Sequence, residues 1–111
     1  MYKISSIRIF TAIFILFFLL FNPLYPQSGK YLEKAVMAME AGLFKEALLQ
    51  LDIARSKEPN NAEVYKLIAL LHEAINENNK AITAWKNCIK NTQNNDLINE
   101  AKIHLYNLEE Y

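Results

Sequence analysis

Two histidines and one cysteine are the side chains of this chain best suited to bind a metal or to catalyse a reaction. His72 and His104 are well separated in the sequence, and Cys88 stands alone between them. No Cys-x-x-Cys or His-Glu-x-x-His motif supplies further ligands, and no nucleophile is spaced with a base and an orienting group. His72 and Cys88 also fall among the apolar positions of predicted helices, where a structural imidazole and a buried thiol are expected. We therefore expect no enzymatic activity, no metal site and no cofactor.

The charge balance excludes another class of partner. Twelve basic and twelve acidic side chains cancel over the whole chain. Without residues 1–28, which include Lys3 and Arg8, ten basic side chains face twelve acidic ones, a net charge of about −2. No basic cluster is present to neutralise phosphates, so we expect no nucleic-acid binding.

Residues 1–28 have the order of a secretory signal peptide. Lys3 and Arg8 form a short basic head, residues 9–21 are an uncharged apolar run, and two prolines then interrupt any helix. The alternative is an uncleaved membrane anchor. The 13-residue run favours the signal peptide, because a bilayer core of about 30 Å needs roughly 20 apolar residues. We expect an exported, periplasmic protein of the bacterial cell envelope; the alternative is an inner-membrane anchored one.

From Gly29 onward, apolar residues recur at intervals of three and four, which predicts helices. Gly42 can close a first helix in the left-handed conformation, and Pro59 ends a second one. Asn60 or Asn61 can cap a third helix. The predicted apolar stripes are Tyr31, Leu32, Ala35, Val36, Met39 and Leu43, then Ala47, Leu48, Leu51 and Ala54.

Residues that can end and begin helices recur in the second half of the chain. Asn76 takes the place of Gly42 as a residue that tolerates positive φ, and Asn78 and Asn79 start a fourth helix. A fifth follows the pair Asn94 and Asn95, and nothing indicates a sheet. The inner faces predicted for these three helices are Tyr65, Ile68, Ala69 and His72, then Ala81, Ile82, Trp85, Cys88 and Ile89, then Leu97, Ile98, Ala101, Leu105 and Leu108.

These positions recur with a period of 34 residues, and the sequence resembles the tetratricopeptide repeat (TPR) family, whose unit is a helix-turn-helix of that length. The resemblance implies an all-α, short α-solenoid of antiparallel helix-turn-helix repeats. The residues that match in type are Tyr31, Ala35, Ala47, Leu51 and Pro59 in one copy and Tyr65, Ile68, Ala69, Ala81 and Trp85 in the other. The departures from the family pattern are Lys34, Ala38, His72 and Gln93.

The resemblance also divides the chain. Behind the segment at 1–28 we expect one domain at 29–111, with a first repeat at about 28–61, a second at about 62–95 and a capping helix at about 96–110. Ile103 and Tyr106 follow Ala69 and His72 by one period, and we expect them to cover the second unit. So small a core makes self-association as a homo-oligomer plausible.

Tetratricopeptide repeats generally bind a protein or peptide in the concave groove lined by the first helix of each unit. That resemblance predicts a non-enzymatic adaptor for protein-protein interaction, with the membrane contacted only through an uncleaved N-terminal segment. The alternatives are a membrane-anchored scaffold and a purely structural self-associating module. A carboxylate clamp of the kind found in some members is disfavoured, because Leu32, Val36 and Leu70 stand where it needs polar groups. The predicted groove residues are Leu32, Val36, Met39, Glu40, Lys66, Leu70, Glu73 and His104, with Glu63, Leu97, Glu100 and Asn107 beside them.

The cleavage prediction can be tested on the purified protein. We expect amino-terminal sequencing to find a start near Gly29 in the soluble envelope fraction, because the apolar run is too short to hold the protein in a bilayer. An intact Met1 in the membrane fraction would contradict this and support the anchor.

Overall fold

The computed structural model describes residues 29–110, which form five α-helices and contain no strand. This confirms the expected all-α class and the number of helices. None of the five is long and apolar enough to cross a membrane, and the predicted signal peptide or anchor at 1–28 lies outside the described residues. The helices are α1 (Gly29–Glu40), α2 (Phe44–Lys57), α3 (Ala62–Ala74), α4 (Asn78–Lys90) and α5 (Asn95–Glu109).

Short connections fix how these helices pack. Loops of three and four residues alternate along the chain, so each helix folds back against the one before it. The most extensive packing joins α1 to α2 and α3 to α4. Helix α3 then packs against α2, and α5 packs against α4. Helix α1 also contacts α3 directly. The described residues are therefore two helical hairpins followed by a fifth helix.

The 34-residue period is visible in the backbone as well as in the side chains. Gly42 and Asn76 have φ values of 75° and 59° and are the two positive-φ residues of the described chain. After each hairpin's first helix the amide of the next residue bonds back across the turn, from Leu43 to the Ala38 carbonyl and from Glu77 to the His72 carbonyl, both at 2.8 Å. This is the bonding pattern of an α-helix whose C-terminus is closed by a single residue in the left-handed conformation. The prediction of positive φ at both positions is confirmed.

Asparagine side chains begin two of the helices. Asn61 Oδ1 accepts a hydrogen bond of 3.0 Å from the Glu63 amide at the start of α3, and Asn94 Oδ1 accepts one of 2.9 Å from the Asp96 amide at the start of α5. Of the two predicted caps for α3, Asn61 is the one used. The second helices α2 and α4 follow Leu43 and Glu77, which make no side-chain cap.

Four pairs of repeating residues belong to the core, together with buried residues such as Val64 and Leu71 that have no buried counterpart one period earlier. Small side chains let the helices approach closely, and Leu51 in one copy and Trp85 in the other fill the remaining space. Burial removes water from the Cys88 thiol and raises its pKa to about 11, as expected for an unreactive structural cysteine. The paired positions with no exposed surface at all are Ala35 and Ala69, Ala47 and Ala81, Leu51 and Trp85, and Ala54 and Cys88.

Two expectations about apolar residues are wrong. Ile103 and Tyr106 do not cover the second unit, because they are 63% and 65% exposed. The residues one period earlier are buried where α3 packs on α4, but no described helix follows α5 to play that part. Leu97 and Ala101 form the buried face of α5 instead. Leu43 precedes α2 and is 58% exposed, so it does not belong to the apolar face of α1.

The two positive-φ turns give a paired prediction with opposite signs. Gly42→Ala should lower the free energy of unfolding by about 1–2 kcal/mol, since a Cβ disfavours the left-handed region. The added Cβ would meet no atom within 4 Å, so the cost is conformational. Asn76→Gly should raise the stability by up to about 1 kcal/mol. Urea unfolding followed by far-UV circular dichroism measures the stability of both variants. A change of the same sign in the two variants would refute the equivalence of the turns.

Candidate functional site

The first helices of successive units lie side by side and share one surface. We call it the first-helix face and define it by the groove residues predicted from the sequence together with Glu100. Helix α1 contacts α3 directly, and two side-chain contacts join α3 to α5. Residues one period apart occupy equivalent positions on these helices. Its residues are Leu32, Val36, Met39 and Glu40 on α1, Lys66, Leu70 and Glu73 on α3, and Glu100 and His104 on α5.

An ion pair crosses this face from α3 to α5. Lys66 Nζ lies 3.1 Å from Glu100 Oε2, and their side chains are 25% and 39% exposed. The two residues are one period apart, so the pair joins the same position of successive units. A pair this accessible to water contributes about 1 kcal/mol or less.

Glu73 binds two aromatic rings at the same edge. Its carboxylate accepts a hydrogen bond of 3.2 Å from Trp85 Nε1 of α4 and lies 3.0 Å from His104 Nδ1 of α5. A carboxylate can only accept, so Nδ1 carries the proton in this contact. The two rings are stacked, with centroids 4.4 Å apart and planes 25° from parallel. Glu73 therefore joins three helices through one side chain.

This cluster has a structural function that the sequence could have indicated. Trp85 is the one tryptophan of the chain and is completely buried. A buried indole N–H needs an acceptor, because leaving it unsatisfied costs about 1–3 kcal/mol. That requirement identifies an acidic residue on a neighbouring helix, whereas period alone describes Trp85 as a space-filling residue. Glu73 and His104 are thereby largely committed to contacts within the fold.

The other half of the face is apolar and partly accessible to solvent. Leu32, Met39 and Leu70 are partly buried and pack against the core, whereas Val36 is 37% exposed. Glu40 is exposed at the end of α1. Since α1 and α3 contact each other, these side chains form a shallow apolar surface with Val36 as its most accessible aliphatic group. Such a surface can bind apolar side chains of a partner.

The remaining candidates for chemistry lie apart. His72 is buried on α3, and its Nδ1 lies 3.5 Å from Glu77 Oε2, longer than an ordinary hydrogen bond. Cys88 is buried on α4 with a raised pKa. Among residues 29–110, no group of three or more histidine, cysteine or acidic side chains could hold a metal ion.

The role of Glu73 can be measured directly. Glu73→Ala should lower the free energy of unfolding by about 1–3 kcal/mol, because the buried Trp85 N–H loses its acceptor. Glu40→Ala is the matched control on the same face, and we expect a change within about 0.5 kcal/mol. Urea unfolding followed by the fluorescence of Trp85 reports both the stability and the environment of the ring. Equal losses in the two variants would show that the contact contributes nothing specific.

No protein-family model matches this chain, and no curated protein has significant sequence similarity to it. A function must therefore be inferred from the fold and from the first-helix face.

Proposed function

We propose that this protein is an exported, non-enzymatic helical-repeat protein of the tetratricopeptide type, which binds a protein or peptide partner on its first-helix face. The observation that carries the proposal is the position of α1 beside α3, which leaves an apolar surface around Val36 open to solvent. The partner would place apolar side chains there, in the manner of a segment bound in a hydrophobic groove.

The assignment to this repeat type is supported by the agreement of three independent features. The sequence period is 34 residues, the turn geometry repeats at Gly42 and Asn76, and the four matched pairs of core residues have no exposed surface. A bundle with coincident alanines would have no reason to repeat its backbone conformation. The departures at Ala38 and His72 affect the space between the helices of each hairpin.

The polar half of the face is proposed to set orientation rather than affinity. Lys66 and Glu100 neutralise each other, and Glu73 is occupied by Trp85 and His104. A partner that inserted a charge there would have to break existing contacts. Specificity of this kind comes from the penalty against wrong partners as well as from contacts to the right one.

A second candidate function is a self-associating structural module. The exposed Ile103 and Tyr106 favour it, because they occupy the positions that a following helix would cover. A membrane-anchored scaffold is a third arrangement, compatible with the same binding face if residues 1–28 are retained.

The binding proposal predicts that a charge at Val36 abolishes partner binding. Val36 is exposed and makes no large contribution to the core, so Val36→Glu should fold normally and weaken the complex at least tenfold by placing a carboxylate against apolar groups. A photo-crosslinking amino acid at position 36 would first identify the partner in intact cells. The affinity of the purified partner for each variant is then measured by isothermal titration calorimetry.

Met37→Glu is the matched control. Met37 is the next residue on α1 and is 62% exposed, and adjacent residues point to different sides of a helix. We expect it to bind the partner as the unaltered protein does. Equal weakening by both substitutions, or crosslinks obtained only from position 37, would exclude the first-helix face as the binding surface.

A further inference from the structure

An open cleft lies on a different part of the molecule, where α2, α3 and α4 meet. Its volume is about 380 Å³, within the range of sites for small ligands. None of its lining residues belongs to the first-helix face. The polar residues that line it are Arg55, Tyr65, His72, Asn79, Lys80, Thr83 and Asn87.

The charged residues that line this cleft are both cationic. Arg55 approaches from α2 and Lys80 from α4, and none of the described residues lining the cleft is acidic. Each cation has an acidic neighbour outside the lining: Arg55 Nη2 lies 3.0 Å from Asp52, and Lys80 Nζ lies 2.7 Å from Glu77. The Lys80 ammonium lowers the pKa of that Glu77 carboxyl below its usual value.

These two ion pairs leave donors available. Both pairs join residues three apart on the exposed surface, where such pairs contribute a few tenths of a kcal/mol to about 1 kcal/mol. A guanidinium has five N–H groups and an ammonium has three, so a single acceptor uses a minor part of each. Asn79 and Asn87 add amide groups on the same side of the cleft.

A buried polar atom at the cleft is the second, independent observation. His72 lines the cleft and is 8% exposed, and its Nδ1 has no hydrogen-bond partner among the described residues. Glu77 Oε2 lies 3.5 Å from it. An unsatisfied buried nitrogen is costly in a folded protein, and an acceptor oxygen of a bound ligand would remove that cost.

We infer that this cleft binds a small oxyanion, a phosphate or carboxylate group, held between Arg55 and Lys80 with His72 beside it. The planar fork of Arg55 matches the paired oxygens of either group. Two cations favour the dianion, so phosphate should bind more tightly than acetate. This site is separate from the proposed protein-binding face, and either can fail without the other.

The test is a nuclear magnetic resonance titration of the purified protein with sodium phosphate, sodium acetate and sodium chloride at matched ionic strength. We expect saturable shifts of the amides of Thr83, Ala84 and Asn87 and of the His72 ring, with a phosphate dissociation constant of about 1 mM. Acetate should saturate the same signals more weakly. Shifts that grow linearly, or that chloride reproduces, would overturn the proposal.

Charge variants separate a built site from general attraction. Arg55→Gln and Lys80→Gln should each weaken phosphate binding at least fivefold, and Glu77→Gln should tighten it because a competing carboxylate is removed. Lys90→Gln, which removes an exposed cation of α4 outside the cleft, should leave it unchanged. Equal weakening by Lys90→Gln and Lys80→Gln, or no tightening by Glu77→Gln, would contradict the assignment. All four positions are at least partly exposed, so these variants should fold.

Discussion

Close approach of neighbouring helices is the constraint on which the rest of this structure depends. The helices can pack tightly because alanine occupies the contact positions in both copies, at Ala35 and Ala69 and again at Ala47 and Ala81, and none of these side chains has exposed surface. Tight packing then makes the short turns necessary, and a turn that must reverse the chain within three residues requires the left-handed conformation found at Gly42. The period is therefore a consequence of packing, expressed in the backbone.

Trp85 shows how one departure between the copies changes the surface. The equivalent residue in the first unit is Leu51, which needs no hydrogen bond, whereas the indole N–H of Trp85 requires an acceptor. Glu73 supplies it and in turn holds His104 on α5. The equivalent of Glu73 one period earlier is Met39, which packs against the core. The first unit thus has Met39 with Leu51, and the second has Glu73 with Trp85. This difference divides the first-helix face into an apolar half and a polar half.

The helices, their turns and the buried positions that repeat could be predicted because each depends on local preference or on a repeated residue type. The contact of Lys66 with Glu100 could not, since several carboxylates are within reach of Lys66 along its own helix and the choice depends on where α5 lies in space. The exposure of Ile103 could not be predicted either. The repeat period predicts which side of α5 this residue occupies, but it is buried only if another helix packs against that side. The oxyanion cleft was also missed, because Arg55 and Lys80 are distant in sequence and belong to different units.

The two surfaces have different relations to the repeat. The first-helix face extends along successive units, so adding or removing a unit would lengthen or shorten it without changing its character. The cleft includes Arg55 of the preceding hairpin as well as residues of α3 and α4, and its His72 stands where the first unit has Ala38, whose side chain carries no polar atom. His72 therefore adds a buried polar group, 3.5 Å from Glu77 Oε2, that the first unit lacks at this position. Its use in recognition would make the oxyanion site particular to this junction and not a general property of the repeat.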